Sequence, residues 1–339
     1  MRIAGMVSRG VVLLLVMGVA PALAQSDRDE LPSLRVLSFN ILQGGGDAAG
    51  VGFANRDFGG SRHDELAAVI RLSQADLVGV QEDDSSARLL AALGDGWKRR
   101  GSIYSRHELT PLHDSKWMTI CRVRLPSKAT IVIANCHWRP SGYGPFLVQD
   151  HLRKHGLPDD LAKFEQQILA SSDKTRGDRG YRQTLEAIRP LLAAKETVVL
   201  TGDFNEPSHL DWTARAAKDG MDRWVKNATG VPLRFPLRWT GSRLLADAGL
   251  QDAYRTAFPD EVRHPGHTWT PPYAENTPGR RPYGDQVLDR IDMIYFAGPR
   301  LRVRSAAVIG ESRDAADIVY DGRWPSDHRA VLAVFDIVP

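Results

Sequence analysis

Six apolar runs of strand length in this chain each close on, or open from, an acid, an amide or an imidazole. A fold that buries so many runs must stack strands into sheets covered on both faces, which collects their polar ends at an edge. The clearest run is Val198-Val199-Leu200-Thr201-Gly202-Asp203-Phe204-Asn205. Residues i and i+2 of an extended backbone point to the same side, so Asp203 and Asn205 are expected to face one site while Phe204 enters the core. A carboxylate that can take a proton beside a neutral amide suits a metal or a phosphoryl group. A buried strand ending in an Asx turn has the same composition.

The other runs supply matching chemistry. Leu34–Asn40 ends in Asn40, Asp76–Glu82 ends in Glu82, and Thr130–Trp138 carries Asn135 and His137 on one face. Arg290-Ile291-Asp292-Met293-Ile294-Tyr295 sets Asp292 in an apolar strand, where an acid is rarely buried without a partner. Asp327-His328 opens the strand Ala330–Phe335, and its imidazole is a natural partner for Asp292. Polar strand ends are common, so each run is weak alone, and the recurrence carries the argument. Several oxygen ligands indicate a hard cation such as Mg²⁺, held by few protein groups and otherwise by water and substrate phosphate.

The motifs Ser-Phe-Asn, Val-Gln-Glu, Asn-Cys-His, Gly-Asp-Phe-Asn, Arg-Ile-Asp and Ser-Asp-His follow one another between Leu34 and Phe335. In that order the chain resembles the endonuclease/exonuclease/phosphatase superfamily of deoxyribonuclease I-like phosphoesterases. The resemblance implies a four-layer α/β sandwich, two packed and largely antiparallel β-sheets flanked by helices, with the site at one edge. It also implies metal-assisted hydrolysis of a phosphate ester without a covalent intermediate. Glu82 is then the direct metal ligand, with Asn40 and Asp327 completing or orienting the site through water. Asp203 orients or deprotonates the attacking water, and Asn205 fixes phosphate or water. His328, held by Asp292, activates water or, protonated, stabilises the pentavalent state; His137 donates to a non-bridging oxygen. The cation expected is Mg²⁺, with Mn²⁺ as the other candidate.

Met1–Ala24 reads as a secretory signal: Arg2 and Arg9 precede the apolar run Val11–Val19, and Ala22-Leu23-Ala24 offers a cleavage site before Gln25. The run is shorter than the ~20 residues a membrane span needs. Residues 25–33 then form a linker and 34–339 the catalytic domain, exported to the periplasm or outside the cell. Losing the leader takes the formal charge from 44 − 41 = +3 to 42 − 41 = +1. A nearly neutral chain lacks the basic bias of a dedicated nucleic-acid binder. The favoured substrate is therefore a small or lipid-derived phosphodiester or phosphomonoester; an exported non-specific nuclease is the alternative, and a binding protein on the same scaffold a weaker third.

Two cysteines, Cys121 and Cys136, lie on strands joined by a Pro126–Lys128 turn. They are either two buried thiols or a cross-strand disulfide. Helices are expected at about Arg62–Ser73, Ala87–Leu93, Gly180–Ala194, Ser208–Lys218 and Ser242–Ala248. Two segments read as elaborations of the domain: 138–177, which leaves directly from His137 and could wall the site, and the Pro-, Gly- and Arg-rich 264–286.

Overall fold

The computed structural model describes residues 31–46, 60–83, 86–219, 236–269 and 288–339. The leader and most of 264–286 lie outside these residues. The first strands are β1 (Ser33–Asn40), β2 (Leu77–Gln81), β3 (Lys98–Arg100), β4 (Ile103–Ser105), β5 (Leu109–Ser115), β6 (Met118–Arg124) and β7 (Thr130–His137). They continue with β8 (Val198–Asp203), β9 (Gln251–Asp252), β10 (Asp292–Ala297), β11 (Leu301–Gly310), β12 (Ile318–Val319) and β13 (Ala330–Ile337). One sheet runs β12-β11-β13-β1-β2-β4-β3 and the other β5-β6-β7-β8-β10-β9. Among the described residues only β1–β2, β7–β8 and β11–β12 pair in parallel. β1 pairs with β13 from Ser33, which lies opposite Asp336.

Alternation along each run builds the layers. Val36 joins Ile133, Val199 and Ile294 between the sheets, whereas Leu37 and Phe39 turn outward. Helices α1 (His63–Ser73) and α2 (Ser86–Leu93) cover that outer face with Leu66, Val69, Ile70 and Leu89. After His137 come α3 (Gly144–His155), α4 (Leu161–Arg176) and α5 (Arg182–Ala193). Next are α6 (Ala214–Asp219), α7 (Thr240–Asp247) and α8 (Ala253–Ala257). Leu185 and Ile188 of α5 and Leu245 of α7 pack on Val132 and Leu200 of the second sheet. The result is helix, sheet, sheet, helix. Residues 208–213 are not helical as expected, and Asp211 there serves a buried ion network instead.

In that network the Arg290 guanidinium bonds Asp211 at 3.1 Å through two nitrogens and meets Asp252 at 2.8 Å. Arg255 reaches the same Asp211 at 2.8 Å. All four side chains are buried, with the two acids facing the two cations. The cluster sits two residues before Asp292 and ties that strand entry to the loop after β8.

A second polar layer joins the sheets. The Gln81 amide donates to Asn135 Oδ1 at 2.6 Å, Thr201 Oγ1 donates to the same oxygen at 2.9 Å, and Asn135 Nδ2 donates to the Val80 carbonyl at 2.9 Å. Asn135 thus shares the face of His137 but is committed to joining the sheets. Gly79 makes room for this layer: a Cβ there would stand 1.9 Å from Thr201 Oγ1 and 2.4 Å from Asn135 Oδ1.

The cysteines are both free and buried. Register puts Met118 opposite Cys136 and Ile133 opposite Cys121, so the thiols point to opposite faces of the sheet. That geometry corrects the idea that they face each other across the hairpin. Burial pushes the Cys121 thiol up to about 11 and Cys136 higher still. The thiolate is the reactive form, so a raised pKa keeps both protonated at ordinary pH. Ellman's reagent at pH 8 is expected to find no thiol in the native protein and two after unfolding in guanidinium. Prompt native labelling would contradict this packing.

Candidate active site at one edge of the sandwich

Strand direction explains why the polar ends meet. Parallel β7 and β8 end together, and β10, antiparallel to β8, begins where β8 ends. His137, Asp203 and Asp292 consequently lie in one row, with Asp203 the register partner of both others. Across the sandwich, parallel β1 and β2 end together at Asn40 and Gln81. β13, antiparallel to β1, starts just after Asp327-His328. One edge therefore receives all eight expected side chains.

Asp203 stands at the centre and is almost fully buried. Its Oδ1 accepts from the Asn205 backbone at 2.9 Å; its Oδ2 accepts from Asn40 Nδ2 at 2.9 Å and lies 3.5 Å from His137 Nε2. The strand ends at Asp203, and Asn205 has φ of +47°. Asn205 thus reaches the site through an Asx turn, not through extended alternation as expected, and its Nδ2 anchors on the Trp138 carbonyl at 3.0 Å. Phe204 packs in the core beside Trp138 and Tyr295.

His328 Nδ1 meets Asp292 Oδ2 at 2.8 Å, leaving Nε2 3.9 Å from both Asp203 and Asp327. Burial alone pulls the imidazole pKa down, but the carboxylates of Asp292, Asp203 and Asp327 overcome it and raise it to about 10. Burial also lifts Asp203 to about 6, with His328 and His137 opposing that rise and Asp292 adding to it.

Glu82, just past β2, has φ of +59° and carries its carboxylate to the same edge. Its Oε2 accepts from the Gln43 backbone at 2.8 Å and its Oε1 from Asn40 Nδ2 at 3.2 Å. The Leu42 N–H requires an acceptor and takes Asn40 Oδ1 at 3.0 Å, so the Asn40 amide group bridges Glu82 and Asp203. Four carboxylates, Glu82, Asp203, Asp292 and Asp327, converge here with amides and imidazoles. Asp203, Asp292 and His328 offer ligand atoms within 4.8 Å of one another, and Asp292 Oδ1 is buried without a hydrogen bond among the described residues. Such an oxygen-rich donor set fits a hard divalent cation. With His328 Nδ1 engaged by Asp292, Nε2 is the ring nitrogen left facing Asp203 and Asp327.

Several supporting residues were not recognisable in the sequence. Arg62, buried, donates to the Ile41 and Leu42 carbonyls and to Pro325, clamping the end of β1 to the Asp327 loop. Ser326 Oγ donates to the Asn40 carbonyl at 2.6 Å, and Thr268 Oγ1 accepts from the Ile291 and Asp292 backbones. Single polar residues near strand ends give no periodic signal. Tyr143, Phe146 and Trp269 form an aromatic wall on one side of the site, the first two from the 138–177 elaboration and Trp269 from the 264–286 one.

A two-sheet α/β sandwich with carboxylates and imidazoles gathered at one edge defines the class of deoxyribonuclease I-like phosphoesterases. The sequence pattern of the Endonuclease/Exonuclease/phosphatase family matches residues 37–328, and the chain belongs to that family. Its members are hydrolases, generally metal-dependent. An uncharacterised Caenorhabditis elegans protein, F14F9.5, is similar at 26% identity over 321 residues, covering 90% of this chain and 92% of that one. The endonuclease/exonuclease/phosphatase structure from Beutenbergia cavernae superposes with a TM-score of 0.50 at 18% identity, covering 90% of this chain and 72% of its own. A family protein from Bacteroides thetaiotaomicron gives 0.48 at 16% identity, with 90% and 98% covered. At 18% identity the likeness to the Beutenbergia cavernae structure speaks for the fold alone.

Proposed function

We propose that this chain is an exported, Mg²⁺-dependent phosphoesterase that cleaves a small or lipid-derived phosphodiester or phosphomonoester by direct water attack. The observation that carries the reading is the row His137–Asp203–Asp292 with His328 on Asp292 and the Glu82–Asn40 pair beside it. Asp203, lifted toward neutrality and gripped at both oxygens, orients the water and takes its proton. His328, held protonated through neutral pH by Asp292, donates from Nε2 to the phosphoryl oxygen on which charge accumulates. His137 donates to a second non-bridging oxygen, and Asn205 keeps Asp203 in place. Glu82, Asn40 and Asp327 would hold the Mg²⁺, which would supply positive charge against that developing in the reaction.

The direct test is hydrolysis of bis-p-nitrophenyl phosphate by residues Gln25–Pro339. Turnover with Mg²⁺ that chelator abolishes is the expected result. A folded, metal-binding protein inert toward diesters and monoesters alike would refute the reading. A nuclease is the second reading, favoured by a groove of ≈ 530 Å³ that leaves Glu82 and His137 past Arg99, Lys116 and Trp117. Cations and an aromatic platform beside a phosphate site suit single-stranded nucleic acid, although Asp83 and Asp114 line the same groove. Plasmid nicking at moderate salt would select it.

Export rests on the charged, apolar and small-residue pattern of Met1–Ala24. Among the described residues no helix is long and apolar enough to cross a membrane. The exported protein is expected to begin at Gln25 by intact mass, and a product retaining Met1 in the cytoplasm would end the export proposal.

A further inference from the structure

Besides the groove past Trp117, another space opens from Glu82. It is a cavity of ≈ 180 Å³ whose floor is Asp203, Asn205 and His328 and whose wall is Tyr143, Phe146, Trp269 and Ile291. The three rings pack edge-to-face or tilted, with centroids 5.2 to 5.7 Å apart, and Trp269 stands 6.4 Å from the His328 ring. An aromatic surface so close to charged catalytic groups has no use in moving protons. Phe146 is half-buried and lines the cavity directly.

This wall is held firmly. Tyr143 donates its hydroxyl to buried Asp289 at 2.9 Å, and the Trp212 indole donates to the other oxygen of that carboxylate. Arg176, at the end of α4 and fully buried, points its guanidinium at the successive carbonyls of Pro140, Ser141 and Gly142 at 3.2 to 3.5 Å. Buried Glu206 sits behind it, accepting from Ser172 and from the Gly241 backbone. Gly144 fits flush against Trp239, where a Cβ would lie 2.5 Å from the ring. A fixed apolar wall excludes water and favours a ligand group of matching shape and polarity.

We infer that this cavity receives an apolar arm of the substrate, one ring or a short alkyl segment attached to the phosphate, and that Phe146 sets the preference for it. The inference rests on the phosphoesterase reading and narrows its substrate class. The space also borders Glu82, Asp203, Asp327 and His328, so the phosphate takes part of it and only a small arm has room against the rings. The fused bulk of a duplex is too large for it, whereas a methyl ester leaves it wet.

The test is calorimetric binding of methyl-, phenyl- and hexylphosphonate to the Gln25–Pro339 protein with Mg²⁺. Each probe presents one arm and cannot turn over by P–O cleavage. Phenyl- or hexylphosphonate is expected to bind about tenfold or more tightly than methylphosphonate, a difference fitting burial of a whole side-chain-sized group. Whichever gains more identifies the arm as flat or aliphatic. Phe146→Ala should remove most of the advantage and Phe146→Leu restore part of it, both folded by circular dichroism. Equal affinity for all three probes, or an advantage unchanged in Phe146→Ala, would overturn the assignment. Hydrolysis of bis-p-nitrophenyl phosphate is read in parallel to separate the two claims. Turnover without an arm preference sinks the cavity assignment alone, and an arm preference in a protein inert toward this diester and toward p-nitrophenyl phosphate alike sinks the phosphoesterase reading alone.

Discussion

Asp203→Asn is expected to lower kcat by about a thousandfold or more, a loss of roughly 4 kcal/mol of transition-state stabilisation. The side chain keeps its shape and its Oδ1 acceptor for the Asn205 backbone, so the fold should stand. What disappears is the oxygen toward which Asn40 and His137 both turn. An amide placed there sets donor against donor at Asn40 and has no basic site for a proton from water. The measurement is steady-state turnover at saturating Mg²⁺ beside a thermal melt. Retention of a tenth of wild-type turnover in a folded variant would remove Asp203 from the centre of the mechanism.

Arg290→Met is expected to cost about 3–5 kcal/mol of stability, because it leaves Asp211 and Asp252 buried with their principal cation gone. Burial by itself disfavours the guanidinium charge, and the carboxylates of Asp211 and Asp252 outweigh it, raising the Arg290 pKa above its ordinary value. Arg255 still reaches Asp211, but Asp252 faces Arg290 from the other side. Urea unfolding of the variant reads the loss directly. Adding Asp252→Asn to the variant should recover part of it, since a neutral amide tolerates burial better than an unpaired carboxylate. A change below about 1 kcal/mol would mean that the cluster is solvated or replaceable.

The layers and the edge were legible in the chain because burial on both faces of a strand leaves an unbroken apolar run. A run that stops at Asn40, Asp203 or His137 announces its own end. The same signal was silent where polarity is internal to the fold. Asn135 and Thr201 lie within apolar runs, yet they join the sheets, and nothing in their spacing separates that role from a site. Arg62 and Thr268 act on backbone carbonyls and amides brought from far along the chain, contacts with no local pattern. Asn205 illustrates a subtler gap: its motif placed it at the site, but its positive φ and Asx turn follow from how the strand stops, not from alternation. The cysteines failed as a pair for a countable reason. Three residues of register separate each from the position opposite its partner, an odd number that sends them to opposite faces.

The pairing of β1 with β13 joins the first described strand to the last. Asn40 and His328 are therefore neighbours only after nearly the whole domain has been laid down, and the Ser326 hydroxyl bonded to the Asn40 carbonyl is the stitch between them. Such distant closure makes for slow folding. It also means that the unfolded chain holds two separated halves of a reagent, each inert, and that hydrolytic capacity arises only where the final strand comes home.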